Sequence, residues 1–303
     1  MKKLQISFEK TVDATGYLFS FAKCLSAALA CSAYADMAQD VIAASGFAFR
    51  MWAAQDLCPS AMSVWDFSMQ PKWAEKGGLV CAYTQRLWGE ENLEEERRLA
   101  AIAQIKTSID AGVAAVVWDL GDCEWGLVTG YDEDGQLLFT LKTDGSEGSI
   151  SWEKLGNLEI PILSVLTVAG RNDRTAKLLV EDAKQLAASH LRGEEWCENA
   201  AGLAAYEVLC AHLLEKWSED LAWQLEYYLG TYGALKWYAW QFFKKYGEHE
   251  CADIYEGVYR AWKAAFDLKR QGDVRDRALR ERILELLKKA QAQEEKFLEL
   301  VEF

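Results

Sequence analysis

The sequence predicts an α+β protein, and three observations carry that prediction. All three prolines, Pro59, Pro71 and Pro161, fall in the first 161 residues, together with most branched, aromatic and glycine-punctuated runs. After Pro161 no proline occurs, and apolar residues recur at spacings of three and four, the pattern of long helices. Within the first part helical signals precede strand signals, which segregates helices from an antiparallel sheet.

Ser20 is placed to cap a helix running through Cys24 to about Ala35, and Asp36 caps another that stops at Gly46. Asn92 with Glu95 three residues on has the form of a capping box for a helix through Ile102, Ile105 and Ile109, ended by Gly112. Strands are expected at Val113–Trp118, Gly126–Tyr131, Gln136–Lys142 and Ile162–Val168, with Asp132-Glu133-Asp134-Gly135 as a hairpin turn rather than a calcium loop. Gly170-Arg171-Asn172-Asp173 marks a boundary between an α+β domain over 1–170 and a helical bundle over 171–303. Helices are expected in the bundle near 173–191, 195–216, 218–230, 233–247, 250–271 and 273–301.

A length of 303 residues fits two domains, and 51% hydrophobic with 26% charged residues is the composition of a globular protein. The net charge of −14 argues against nucleic acid or an anionic membrane surface as the partner. Eight cysteines without a Cys-x-x-Cys pair point to reduced thiols in a cytoplasm. Met1-Lys2-Lys3 and the later Ser32-Ala33-Tyr34-Ala35 mimic a secretion signal, but Glu9, Lys10, Asp13 and Lys23 interrupt its apolar region, so a cytoplasmic location is expected. No apolar run is long enough to span a membrane.

The chemistry centres on Cys24. In the first turn of a helix and beside Lys23, its thiol is placed to ionise readily; the alternative is a small buried hydrophobe on an alanine-rich helix. Cys24 at a helix start, Ser45-Gly46-Phe47-Ala48-Phe49, and Gly126-Leu127-Val128-Thr129-Gly130-Tyr131-Asp132 together resemble the papain-like domains of bacteriocin-processing peptidases and of the N-terminal domain of butirosin biosynthesis protein H. The resemblance implies a papain-like fold, peptide or thioester acyl transfer, Cys24 as nucleophile and Asp144 as the orienting carboxylate. Trp125, Phe49 and Tyr131 are the expected binding side chains of the cleft.

The base does not carry over. Where the family pattern has a histidine, this chain has Glu124. His190, His212 and His249 all lie beyond the expected boundary, and no glutamine shortly precedes Cys24 to help build an oxyanion hole. Cysteine proteolysis needs the imidazole both to take the thiol proton and to protonate the leaving amine. Three readings follow. A catalytically degenerate member of the group binds a peptide or small metabolite in the former active site; or Glu124, raised by burial against Trp125, serves as base in a thiol-dependent acyltransferase or amidase; or His190 or His212 completes the site. Glu124 as a plain solvated loop residue stands beside all three.

No phosphate-cradling loop or metal-ligand spacing is present, so no cofactor or metal is expected. The crowded aromatics between Trp217 and Tyr246 read first as core and second as a pocket or partner groove. Arg275, Arg277, Arg280 and Arg282 read first as a solvated face. A site for the acidic half of a second copy, giving a homodimer, is the sharper alternative.

Overall fold

In the computed structural model, which describes residues 1–301, the chain begins with a short strand β1 (Lys2–Lys3), then α1 (Ser20–Ala30), α2 (Asp40–Ala44), β2 (Trp52–Ala53) and α3 (Gln70–Lys76). There follow β3 (Leu79–Arg86), α4 (Glu94–Asp110), β4 (Ala115–Trp118), β5 (Trp125–Asp132), β6 (Leu137–Leu141), β7 (Glu147–Ser151) and β8 (Leu163–Arg171). The remainder is α5 (Ala176–Leu191), β9 (Ala200–Ala201), α6 (Leu203–Leu214), α7 (Ala222–Lys245), α8 (His249–Gln271) and α9 (Arg277–Val301). The architecture is therefore mixed α+β, with an antiparallel sheet and helices toward the C-terminus. None of the described helices is long and apolar enough to cross a membrane.

The chain packs as two units, neither of them one continuous stretch. The first takes residues 1–12, 20–41 and 67–174; the second takes 13–19, 42–66 and the chain from Thr175 onward.

The first unit is built on an antiparallel sheet in the order β3-β8-β4-β5-β6-β7, with β1 added beside β5. On one face α4 lays Ile102, Ile105 and Ile109 onto Val117, Val128 and Val165, all buried. Strand alternation turns Trp118 and Trp125, paired across β4 and β5, to the opposite face, where Phe21 of α1 meets Trp125. Each such buried side chain contributes roughly 1.5–3 kcal/mol of hydrophobic stabilisation.

Differences from expectation have local causes. α1 stops at Ala30, and a 3-10 turn over Ala35–Met37 replaces the start of the helix expected from Asp36. Asn92 is not the cap of α4: it sits in a 3-10 turn, Glu91–Leu93, that leads into the helix. β3 and β7, unforeseen, are the two ends of the sheet's strand order; with one neighbour each, they carry half-exposed residues rather than a clean apolar alternation.

In the second unit α7 packs on α8, α8 on α9, and α6 on α9. The two helices expected at 218–230 and 233–247 are one, α7, with Gly230 and Gly233 inside it. Gly230 is there for a close approach: a Cβ on it would come within 2.7 Å of the Tyr17 ring. The helix expected from 195 begins only at Leu203, because the preceding residues form β9, which pairs with β2.

Residues 42–66 thread through this unit, and side chains satisfy their backbone. Lys236 donates to the Phe49 carbonyl, the Met51 amide donates to His190, the Trp52 amide to Tyr232 and the Ala54 amide to Tyr228. An extended segment buried without a full ladder needs such partners, since an orphaned backbone group costs about 1–3 kcal/mol.

Candidate functional site

α1 begins at Ser20, which places Cys24 one turn inside the helix. The Cys24 side chain is fully buried, and its thiol donates to the Trp125 carbonyl at 3.6 Å. Burial pushes the thiol well above its ordinary range; Lys23 opposes this and Glu124 and Asp122 add to it. Burial thus works against the ready ionisation expected from the helix dipole and Lys23, since desolvation of a thiolate outweighs one neighbouring cation.

Glu124 closes the loop between β4 and β5. Its carbonyl accepts from the Asp119 amide at 3.0 Å, and its carboxylate Oε2 accepts from the Ser20 hydroxyl at 2.5 Å. The loop is held in an unusual shape. Asp119 and Cys123 adopt left-handed φ values of 51° and 53°, and Asp119 Oδ1 accepts from the amides of Gly121 and Cys123. Such conformations cost of order 1–3 kcal/mol each in a residue other than glycine, and the Asp119 side chain stabilises them. Burial raises the Asp122 carboxyl, with Lys142 pulling it back from 3.7 Å.

Trp125 is fully buried and forms a wall with its neighbours. Its ring centroid lies 5.0 Å from Phe21, 5.0 Å from Phe67 and 5.2 Å from Trp118. It is therefore a backing residue, not an exposed binding face.

The remaining expected residues take their hydrogen bonds or ring contacts from other partners. Asp144 is exposed in the turn between β6 and β7, where it accepts from the Ser146 amide and hydroxyl at 2.8 and 2.6 Å. The Ser146 hydroxyl and amide hold its carboxyl below the usual range. Tyr131 is six residues along β5 from Trp125, about 20 Å at the rise of a strand, and its hydroxyl donates to Asp110 at 3.0 Å. Phe49 belongs to the second unit, in a ring cluster with Phe243, Tyr255 and Phe297.

The histidines considered as substitute bases are engaged within the second unit. His190 is fully buried, with Nδ1 2.9 Å from Glu195 and Nε2 receiving the Met51 amide at 2.7 Å. His212 Nε2 lies 2.8 Å from the Gln55 carbonyl.

Two residues of the site escaped sequence reasoning. Ser20 reads only as a helix cap, and its partner Glu124 is 104 positions away. Asp119 follows a strand and looks like an ordinary turn residue; its positive φ is the signal that sets it apart. Its Oδ2 and the indole nitrogen of Trp118 are both buried with no hydrogen-bond partner among the described residues. No cluster of three or more metal-ligating side chains occurs among the described residues.

A scan against protein-family models finds no match. A search of curated proteins likewise finds no significant relative.

Proposed function

We propose that this is a papain-like-fold protein without thiol catalysis, which binds a peptide or small metabolite at the start of α1 in the first unit. The observation that carries the reading is the state of Cys24: buried, neutral and spending its thiol proton on the Trp125 carbonyl. A nucleophile must reach its electrophile and reach it as thiolate, and neither condition is supported here. Nothing in the surroundings favours the alternative of a Cys24 acyltransferase with Glu124 as base, because Glu124 is hydrogen-bonded to Ser20.

What supports ligand binding is the polar group set into an aromatic wall. The Glu124 carboxylate holds the Ser20 hydroxyl, while Asp119 Oδ2 and the indole nitrogen of Trp118, whose ring packs on Phe67 and Trp125, are buried without partners among the described residues; polar groups among aromatic rings are the composition of small-molecule sites. We place this activity in a reducing cytoplasm, in accord with eight free thiols.

Thermal-shift and tryptophan-quenching titrations with panels of short peptides and of small metabolites test the reading. A ligand that raises the unfolding temperature of the wild type, and does so equally for Cys24→Ser, is the expected result. Turnover of any such ligand that disappears in Cys24→Ser would overturn it.

A further inference from the structure

Among the described residues β3 has β8 as its one strand neighbour, which leaves an edge of eight residues open. Gln104 Nε2 of α4 donates to the carbonyls of Ala82 at 2.9 Å and Val165 at 3.2 Å, so both carbonyls face the seam between β3 and β8. Main-chain groups of an antiparallel strand alternate sides residue by residue. Those of Cys81 and Gln85 are therefore directed to the open edge.

Proteins blunt such an edge with proline, charged side chains, a bulge or a cover. From Leu79 to Gln85 β3 carries neither a proline nor a charge. The register shift in its pairing leaves the extra residue, Ala169, on β8, so β3 itself runs unbulged. Val80 is 42% exposed, and Ala82 is exposed, as is Ala100 one turn before Gln104 on α4. At the sheet's other end β7 is shorter, and its Glu147 is paired with Lys3.

The end of β3 favours a cation. Two residues past the strand Trp88 is 65% exposed, and residues 88–98 carry five glutamates against two arginines, of which Arg98 is paired with Glu94 at 2.9 Å. An exposed indole among carboxylates suits a lysine or arginine side chain, through the ring face and through charge. The net charge of −14 disfavours a second copy on this edge and favours a basic partner.

We propose that the open edge of β3 docks an extended, cationic segment of a partner protein, which adds to the sheet as a further strand. Main-chain bonds to Cys81 and Gln85 supply the pairing, alternate side chains lie along Val80 and Ala82, and a basic residue reaches Trp88 and its glutamates. The surface shares no residue with the ligand site at the start of α1, so the two readings stand or fall independently.

The test titrates the full chain with a short fluorescent peptide alternating lysine and valine, followed by anisotropy. One control peptide is N-methylated at its backbone amides; another has glutamate in place of lysine. The expected result is saturable binding of the lysine peptide alone, with hydrogen–deuterium protection gained over Leu79–Arg86 rather than at α1. Gln85→Pro, which removes an edge amide, should weaken binding about 10-fold. Glu90→Gln/Glu91→Gln keeps an acceptor for the Leu87 and Gly89 amides and should weaken it about 5-fold. Circular dichroism reports the folding of each variant, and the wild-type comparison of the three peptides is decisive without them. Absence of saturable binding, equal binding of either control peptide, or protection gained elsewhere than β3 overturns the proposal. So does sedimentation showing a dimer that Gln85→Pro dissolves, which would give the edge to a second copy.

Discussion

Lys236 and Glu294 form an ion pair at 2.8 Å with both side chains fully buried. The pair is held by further bonds: Lys236 donates to the Phe49 carbonyl at 3.1 Å, and Tyr206 donates to Glu294 at 2.7 Å while accepting from Trp262 at 2.8 Å. Burial pushes the Lys236 ammonium pKa down, and Glu294 opposes it. Removing one partner strands the other charge in the core, so Lys236→Met or Glu294→Gln should each destabilise by about 3–5 kcal/mol. The double variant Lys236→Met/Glu294→Leu should lose markedly less than the sum, because it strands no charge. Urea unfolding followed by tryptophan fluorescence measures both.

Acid sensitivity should come from the Arg50–Glu195–His190 group. Arg50 grips both Glu195 oxygens at 2.9 and 2.7 Å, and despite burial Arg50 and His190 hold the Glu195 carboxyl down to about 2. Burial lowers the His190 pKa, assisted by Arg50 and opposed by Glu195. Nε2 lies 2.7 Å from the Met51 amide and 2.9 Å from the Met51 carbonyl, and it is the neutral ring that accepts from the amide. Both groups therefore bind protons more readily in the unfolded chain, so stability falls as pH falls. The loss begins near the ordinary histidine value of 6.5 and steepens between 4.5 and about 2 as Glu195 is titrated, amounting to roughly 3 kcal/mol for Glu195 alone. Thermal melts between pH 8 and pH 3 should show this decline, and Glu195→Gln should flatten its acid end.

Gly202→Ala should be severe for a steric reason. Gly202 has φ 58° and ψ −129°, and a Cβ there would lie 2.2 Å from the His190 carbonyl oxygen. Gly193→Ala, also at positive φ but with open space around it, serves as the comparison. The Gly202 variant should lose several-fold more stability than the Gly193 variant, read as the difference in melting temperature.

Asp144→Ala should leave both the unfolding midpoint and the protection of Cys24 unchanged. Its hydrogen-bond acceptor contacts are confined to the Ser146 turn, whereas an orienting carboxylate of a catalytic group would be felt at the thiol. Melting curves and cysteine labelling check this together.

Much of the architecture was legible because it repeats over many residues. α8 and α9 follow from apolar spacing with no proline, and the β5–β6 hairpin from Asp134-Gly135. The path of residues 42–66 was not legible. Its partners are side chains up to 187 positions away, as with Lys236 and Phe49, and nothing local marks Lys236 as a buried donor. At the site, the sequence offered Cys24, Glu124 and Trp125 but not their relation. Periodicity places Cys24 on α1, yet whether its sulfur faces solvent or the Trp125 carbonyl depends on how the helix rotates against the sheet. A start at Ser20, one turn earlier than the thiol, decides which side chain meets Glu124.

The central claim, that Cys24 is a sealed structural thiol, is tested most directly by iodoacetamide labelling of the native protein as a function of pH, read at each cysteine by mass spectrometry. Exposed Cys58 should label in the folded protein, while Cys24 stays unmodified until the protein unfolds. A Cys24 that labels rapidly well below pH 8 in the folded protein, and slows in Glu124→Gln, would contradict the account.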